Sequence, residues 1–343
     1  MRPLSIGSLH LSGCALLAPL AGISDLPYRL VNRRHGCGFA FTEMISARSL
    51  VNDSRRTLRM LALDRRDRPL GVQLVGSDAQ VLCRAIELLA PFTFDLVDLN
   101  AACPARKVVG VGQGAALMRD PARLERLLRA MVAASTAPVT VKIRSGWDAS
   151  SRNALEVAQR AQDAGVQAVI IHGRSRSQGY GGRVDYDVIA QVKQALAIPV
   201  IGSGDVFSAV HVLEMLSRTG CDAVTVARGA LGNPWIFEEI QAALAGEPPP
   251  RRPGPDQICA CMQEHLDMSV DLYGEELGIK HFRKFFGWYT RGFYRIRPLR
   301  SAAFQCRTRA ELAAIIDRLK SSRIDPGCSF HLGPSDYEGL AGC

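Results

Sequence analysis

The chain has 343 residues, 47% of them hydrophobic and 22% charged, and a mean hydropathy of +0.03, which excludes a disordered, collagenous or multispanning protein. Forty-two Lys and Arg against 33 Asp and Glu leave a net charge of +9, a balance that favours a polyanionic partner if the excess is concentrated in one place. The ten cysteines show no CxxC or CxxCH spacing, so no metal, haem or iron–sulfur site is expected, and packed thiols in a reducing cytoplasm are.

Leu11-Ser12-Gly13-Cys14 imitates a lipoprotein cleavage site. Pro3, Gly7 and His10 interrupt the residues before it, leaving no apolar stretch of roughly 7–15 residues, so no secretory leader is expected. No apolar run is long enough for a spanning helix, and no membrane association is expected.

Eight short runs rich in Val, Ile, Leu and Ala follow: residues 15–22, 39–44, 70–76, 96–103, 139–146, 168–174, 200–205 and 223–231. Several are apolar throughout, as parallel strands covered on both faces are. Helical spacing appears between them at residues 78–90, 121–134, 151–164 and 208–218. Eight βα units match a (β/α)8 TIM barrel. The alternative is an open doubly wound sheet, but no GxGxxG follows Gly22. The Pro-rich linker 246–255 then separates a barrel over 1–245 from a small helical domain over 256–343, with helices expected at 256–272, 277–289 and 308–320.

In such a barrel the chemistry sits where the strands end. The ends offer Gln73, Asn100 with Cys103, Lys142 with Arg144, His172 with Arg174, Ser203-Gly204-Asp205, and Ala227-Arg228-Gly229. The last two loops read as a phosphate cup, since small residues let backbone N–H groups approach an anion. Lys142 on a buried strand needs an anionic or carbonyl partner, either the pyrimidine end of a flavin or a buried Asp. His172 is either a cofactor contact or a satisfied core histidine. Cys103, in a polar loop near Arg106 and Lys107, reads as a proton donor of lowered pKa or as a small buried hydrophobe.

Residues 277–310 hold nine Lys and Arg, no Asp or Glu, and eight aromatics. Basic residues neutralise phosphates and aromatics stack on unpaired bases, so the segment has an RNA-binding character, with Lys280, Arg283, Lys284, Arg291 and Arg295, and Arg174 from the barrel, as contacts. The alternative for the aromatics is a helical-bundle core. A second basic stretch, residues 48–68, extends the same surface.

Taken together, Ala18-Pro19-Leu20-Ala21-Gly22-Ile23-Ser24-Asp25, the Gln73 strand, Asp98-Leu99-Asn100-Ala101-Ala102-Cys103-Pro104, Val141-Lys142-Ile143-Arg144-Ser145-Gly146-Trp147, Ile171-His172-Gly173-Arg174 and Ala227-Arg228-Gly229-Ala230 resemble the flavin-dependent tRNA-dihydrouridine synthases, most of all the bacterial B-type branch. The resemblance implies FMN held by Pro19, Leu20, Ala21, Gln73, Lys142, His172, Ser203, Gly204, Asp205, Ala227 and Arg228. It further implies Cys103 as proton donor, Asn100 as an active-site asparagine, NADPH or NADH as reductant, and a monomer acting on tRNA. Three positions depart from the family pattern: Ser203 where Asn is usual, Ala102 where Gly is usual, and Phe285 where His is frequent. Two rivals are an FMN barrel acting on a free pyrimidine, like a dihydroorotate dehydrogenase, and a non-catalytic RNA-binding protein.

Overall fold

The computed structural model describes residues 3–325. An antiparallel hairpin of β1 (Leu4–Ile6) and β2 (Leu9–Leu11) comes first. Eight parallel strands follow: β3 (Ala15–Leu17), β4 (Phe39–Ser46), β5 (Leu70–Val75), β6 (Leu96–Asn100), β7 (Val139–Arg144), β8 (Ala168–His172), β9 (Val200–Ser203) and β10 (Ala223–Val226). Because β10 pairs with both β3 and β9, the sheet closes into a barrel, and the open-sheet alternative is excluded. All eight expected runs contain a strand. Most strands stop short of the expected ends, because the polar terminal residues turn into the loops that carry the site.

Ten helices wrap the barrel: α1 (Leu26–Arg34), α2 (Ala47–Val51), α3 (Arg55–Met60), α4 (Ala79–Leu89), α5 (Arg106–Val109), α6 (Pro121–Ala134), α7 (Ala154–Asp163), α8 (Tyr186–Ala195), α9 (Ala209–Thr219) and α10 (Ile236–Ala245). Asp25, Asp78, Asp120, Asp185 and Ser208 each accept a backbone N–H at a helix start, fixing where these helices begin.

The inward face of the barrel changes character along its axis. At the lower end Leu16, Phe39, Phe41, Leu96, Ile170, Ile201 and Ala223 pack with Leu4, Ile6 and Leu11 of the hairpin, which plugs the base. Two residues further along β6, β8, β9 and β10 the period-two alternation brings up Asp98, His172, Ser203 and Thr225 instead, joined by Gln73 of β5 and Thr140 of β7, all buried. A dry floor therefore lies beneath a polar mouth.

Beyond α10 come α11 (Pro255–Tyr273), α12 (Glu275–Tyr289), α13 (Arg297–Gln305) and α14 (Arg309–Leu319). Pro255 starts α11, and Thr308 with Glu311 forms a reciprocal cap at α14. The helices pack on the barrel through α1, where Tyr28 stacks on Phe285 at 5.6 Å between ring centroids. Tyr273 Oη donates to Asp25 Oδ2 at 3.0 Å across the same seam. Close by, a Cβ at Gly232 would lie 2.4 Å from the Trp288 carbonyl carbon, so only glycine lets the loop after β10 approach α12.

Candidate active site at the barrel mouth

Strand register brings the mouth residues together: Gln73 lies opposite Asp98, Asn100 opposite Lys142, Arg144 opposite His172, and His172 opposite Ser203. A continuous chain of hydrogen bonds crosses three strands, β5, β6 and β7. Thr140 Oγ1 donates to Asp98 Oδ1 at 2.7 Å, Gln73 Nε2 donates to Asp98 Oδ2 at 2.8 Å, and Asn100 Nδ2 donates to Gln73 Oε1 at 2.8 Å. Asn100 Oδ1 in turn accepts the backbone N–H groups of Ala102 and Cys103, at 3.1 and 2.8 Å. The loop that presents the thiol is thus tied to the barrel interior through one amide. One amide hydrogen of Asn100 goes to Gln73, which leaves the second for another acceptor.

Cys103 is half-buried, and burial raises its pKa, with the Ala105 backbone N–H, Arg144 and Lys107 only partly offsetting this. The expectation of a lowered pKa is therefore corrected: desolvation outweighs the nearby cations, and the thiol is held protonated. Ala102, the departure beside it, is buried, and its carbonyl accepts Arg144 Nε at 2.7 Å. Arg144 also donates to Ser175 O at 2.8 Å and Gly179 O at 2.9 Å, binding the Cys103 loop to the loop after β8.

Lys142 Nζ donates to Ser203 Oγ at 3.2 Å. Ser203 therefore still offers an oxygen to the lysine strand in place of the usual Asn. Burial lowers the Lys142 pKa, and the charge of Asp98 works against that; burial likewise raises Asp98. The alternative of a direct Lys142–Asp98 pair is not what forms: the bond of Lys142 is to a hydroxyl, with Asp98 acting at longer range.

His172 is buried, and its Nδ1 makes no hydrogen bond to the protein. Burial first, then Arg144, Lys142, Arg174 and Arg228, holds its pKa well below the usual value, so the ring is neutral. An unsatisfied, neutral nitrogen among four cations suits an electron-rich heterocycle with an anionic tail.

The loops after β9 and β10 supply the rest. Gly204 and Asp205 both have positive φ, +131° and +50°, which exposes consecutive backbone groups at the strand end. A carboxylate there would repel a phosphate, but Arg174 grips Asp205 at 2.8 and 2.5 Å and Arg228 reaches it at 2.6 Å. Two guanidiniums more than neutralise one carboxylate. Pro19 and Leu20 are half-buried and Ala21 exposed, in the turn that Ser24 pins by bonding Leu20 N and O. Ala227 stands at the start of the short turn holding Arg228.

The expected RNA contacts divide. Arg174 is fully buried, its guanidinium spent on Asp205 and the carbonyls of Gly181 and Gly182, so its assignment to an RNA surface is corrected to bracing the loop after β9. Arg283 donates to Cys306 O at 2.7 Å within the helical region, and Lys284 donates to Gly22 O, joining α12 to the loop after β3. Lys280 and Arg295 are exposed and Arg291 half-buried. Arg56 and Arg59 of α3 lie near enough to act, with Lys280 and Lys284, on His281 of α12, so the two basic stretches do meet. Six of the eight aromatics between 277 and 310 are buried and form the bundle core; Tyr294 and Phe304 are exposed.

Sequence reasoning missed three mouth residues. Asp98 was hidden in the apolar-looking run Leu96–Asn100, although a spacing of two from Asn100 puts both on one face. Glu43 lies at an irregularity in the β4–β5 register, where burial pushes its carboxyl up to about 7. Tyr180 is exposed between Arg144 and Arg228, whose guanidinium carbons stand 5.7 and 5.1 Å from its ring centroid. Among the described residues no helix is long and apolar enough to cross a membrane, and no cluster of three or more His, Cys, Asp or Glu is arranged for a metal.

Comparison with known proteins agrees with this geometry. A family model described as Dihydrouridine synthase (Dus) matches residues 16–323. A probable tRNA-dihydrouridine synthase of Rhizobium leguminosarum is 42% identical over 81% of this chain and 85% of its own. The tRNA-dihydrouridine synthase B of Pseudomonas aeruginosa is 40% identical over 84% of this chain and 87% of its own. Among solved structures, histamine dehydrogenase from a Rhizobium species superposes with a TM-score of 0.55 at 13% identity, covering 78% of this chain. This chain spans about half that protein's length (50%), and the likeness is one of barrel fold alone. The family match over nearly all the described residues, falling on a barrel whose mouth gathers Asn100, Cys103, Lys142 and His172, makes this chain a member of the dihydrouridine synthase family.

Proposed function

We propose that the chain reduces a uridine of tRNA to 5,6-dihydrouridine, using FMN bound in the barrel mouth and NADPH or NADH as the source of electrons. The observation that carries the reading is the Cys103 thiol, kept protonated by burial and fixed through Asn100, beside a cationic mouth in which His172 Nδ1 lacks a partner. The residues present fit a flavin: a neutral imidazole and Lys142 at one end, and the Gly204–Asp205 turn with Arg228 at the other. When bound, that flavin supplies the hydride, taken from NAD(P)H, that enters C6 of the uracil.

The protein does the rest. Cys103 Sγ gives its proton to C5, so the two hydrogens saturate the C5=C6 bond, and the thiolate left behind faces Arg144 and Lys107 until solvent reprotonates it. The free amide hydrogen of Asn100 can bond a uracil carbonyl, drawing electron density from C6, while Lys142 stays with the flavin. A uridine must leave its stack to enter the mouth, at a cost of a few kcal/mol. Binding at the basic surface of α3 and α12 offsets that cost. We place the enzyme in the cytoplasm as a monomer.

Mass-spectrometric mapping of dihydrouridine in tRNA from cells lacking the protein tests this. One position should lose the modification and regain it on complementation; an unchanged pattern contradicts the reading.

A further inference from the structure

The helix α12 rests on two neighbouring loops at one edge of the barrel mouth, with Lys284 on the loop after β3 and Trp288 against Gly232 in the loop after β10. At its end the chain turns into α13, which Arg300 ties back by donating to Gly287 O at 3.4 Å and Thr290 Oγ1 at 3.3 Å. A groove of about 380 Å3 opens on α13, lined by Arg297, Arg300, Ser301, Phe304 and Gln305. That is within the range of roughly 300–1,000 Å3 of small-ligand sites.

Three observations define what fits there. The helix carries no acidic residue, no side chain caps its N-terminus, and Arg300 Nε is buried with no hydrogen-bond partner, so the groove selects for an anion. Phe304 is 47% exposed, although most aromatics of this region are buried in the core, so its ring is a free apolar face. Arg297, Arg300 or Ser301, and Phe304 follow at helical spacing, which lines charge and ring along one groove.

We propose that the α13 groove is a nucleotide subsite, holding one unpaired nucleotide of the tRNA with its base against Phe304 and its phosphate at Arg297 and Arg300. The proposal rests on the tRNA reading above. It gives the enzyme a grip on the RNA outside the mouth, through the exposed Arg297 and Phe304 and the half-buried Arg300.

The test is fluorescence anisotropy with the full chain and a dye-labelled, unmodified tRNA transcript. Phe304→Ala should weaken binding about ten-fold, as loss of base–aromatic stacking does, without changing the salt dependence. Arg297→Glu should weaken it by a similar factor and also flatten the dependence on salt, because a phosphate contact is lost. Phe304→Trp should bind like the parent. Melting temperatures close to the parent's confirm that the variants fold. Parent-like affinity in both Phe304→Ala and Arg297→Glu overturns the subsite while leaving the tRNA reading in place; a parent chain that does not bind tRNA overturns that reading itself.

Discussion

Asn100 Oδ1 accepts the backbone N–H of Cys103 at 2.8 Å, so the position of the thiol is set by a side chain three residues before it on β6. The same amide carries the link inward to Gln73 and Asp98. Replacing Asn100 with Ala leaves the N–H groups of Ala102 and Cys103 and the Gln73 carbonyl unsatisfied. Loss of stability of about 1–3 kcal/mol per orphaned buried group is expected, measured by urea unfolding. Dihydrouridine formation should fall further than stability does, because the thiol loses its aim.

Cys103→Ala should retain tRNA affinity and bound flavin while losing dihydrouridine formation. For the parent enzyme the raised thiol pKa fixes the sign of the pH dependence: the proton donor stays loaded through the ordinary cysteine range, and turnover declines only in more alkaline solution. A pH–rate profile with its alkaline limb below the ordinary thiol value of 9.0 would contradict this.

Glu43 gives a stability signature. Burial first, then the charge of Asp25, pushes it up to about 7 from an ordinary 4.5. The folded protein therefore binds the proton more tightly than the unfolded chain, so this contribution is complete below pH 4.5 and is lost as pH rises towards 7. Glu43→Gln removes the dependence. Relative to the parent, the variant should gain on the order of 1–3 kcal/mol between pH 5 and 8, read from melting curves at the two pH values.

The buried Arg174 pairs with the half-buried Asp205, and Arg174→Ala leaves that carboxylate, in the loop after β9, with Arg228 alone. A loss of about 1–3 kcal/mol is expected, with weaker flavin retention on gel filtration. An Arg174→Ala chain as stable as the parent would show that Arg228 alone satisfies Asp205.

The barrel was legible because parallel strands buried on both faces leave unbroken apolar runs, and because polar residues in a barrel collect at strand ends. The hairpin β1–β2 was not, since six strand residues around a Gly7 turn carry too little pattern. Nor was α13, where Pro298 and two arginines blur the helical period, although Pro in the first turn is a helix starter. Within the site, side-chain identity foretold which residues meet at the mouth but not how they are spent. Arg174 looked like an RNA contact because charge alone marks a surface, and only the fold revealed Asp205 facing it. Cys103 looked acidic because the cations adjacent in sequence were visible and its desolvation was not.

The account rests on a protonated thiol working opposite a bound flavin on an RNA substrate. Purified chain reconstituted with FMN, supplied with NADPH and an unmodified tRNA transcript, and followed by mass spectrometry of the digested RNA, tests this most directly. The account predicts that one uridine gains two hydrogens, and that Cys103→Ala leaves that uridine unchanged. A flavin-loaded parent protein that leaves every uridine intact would contradict it.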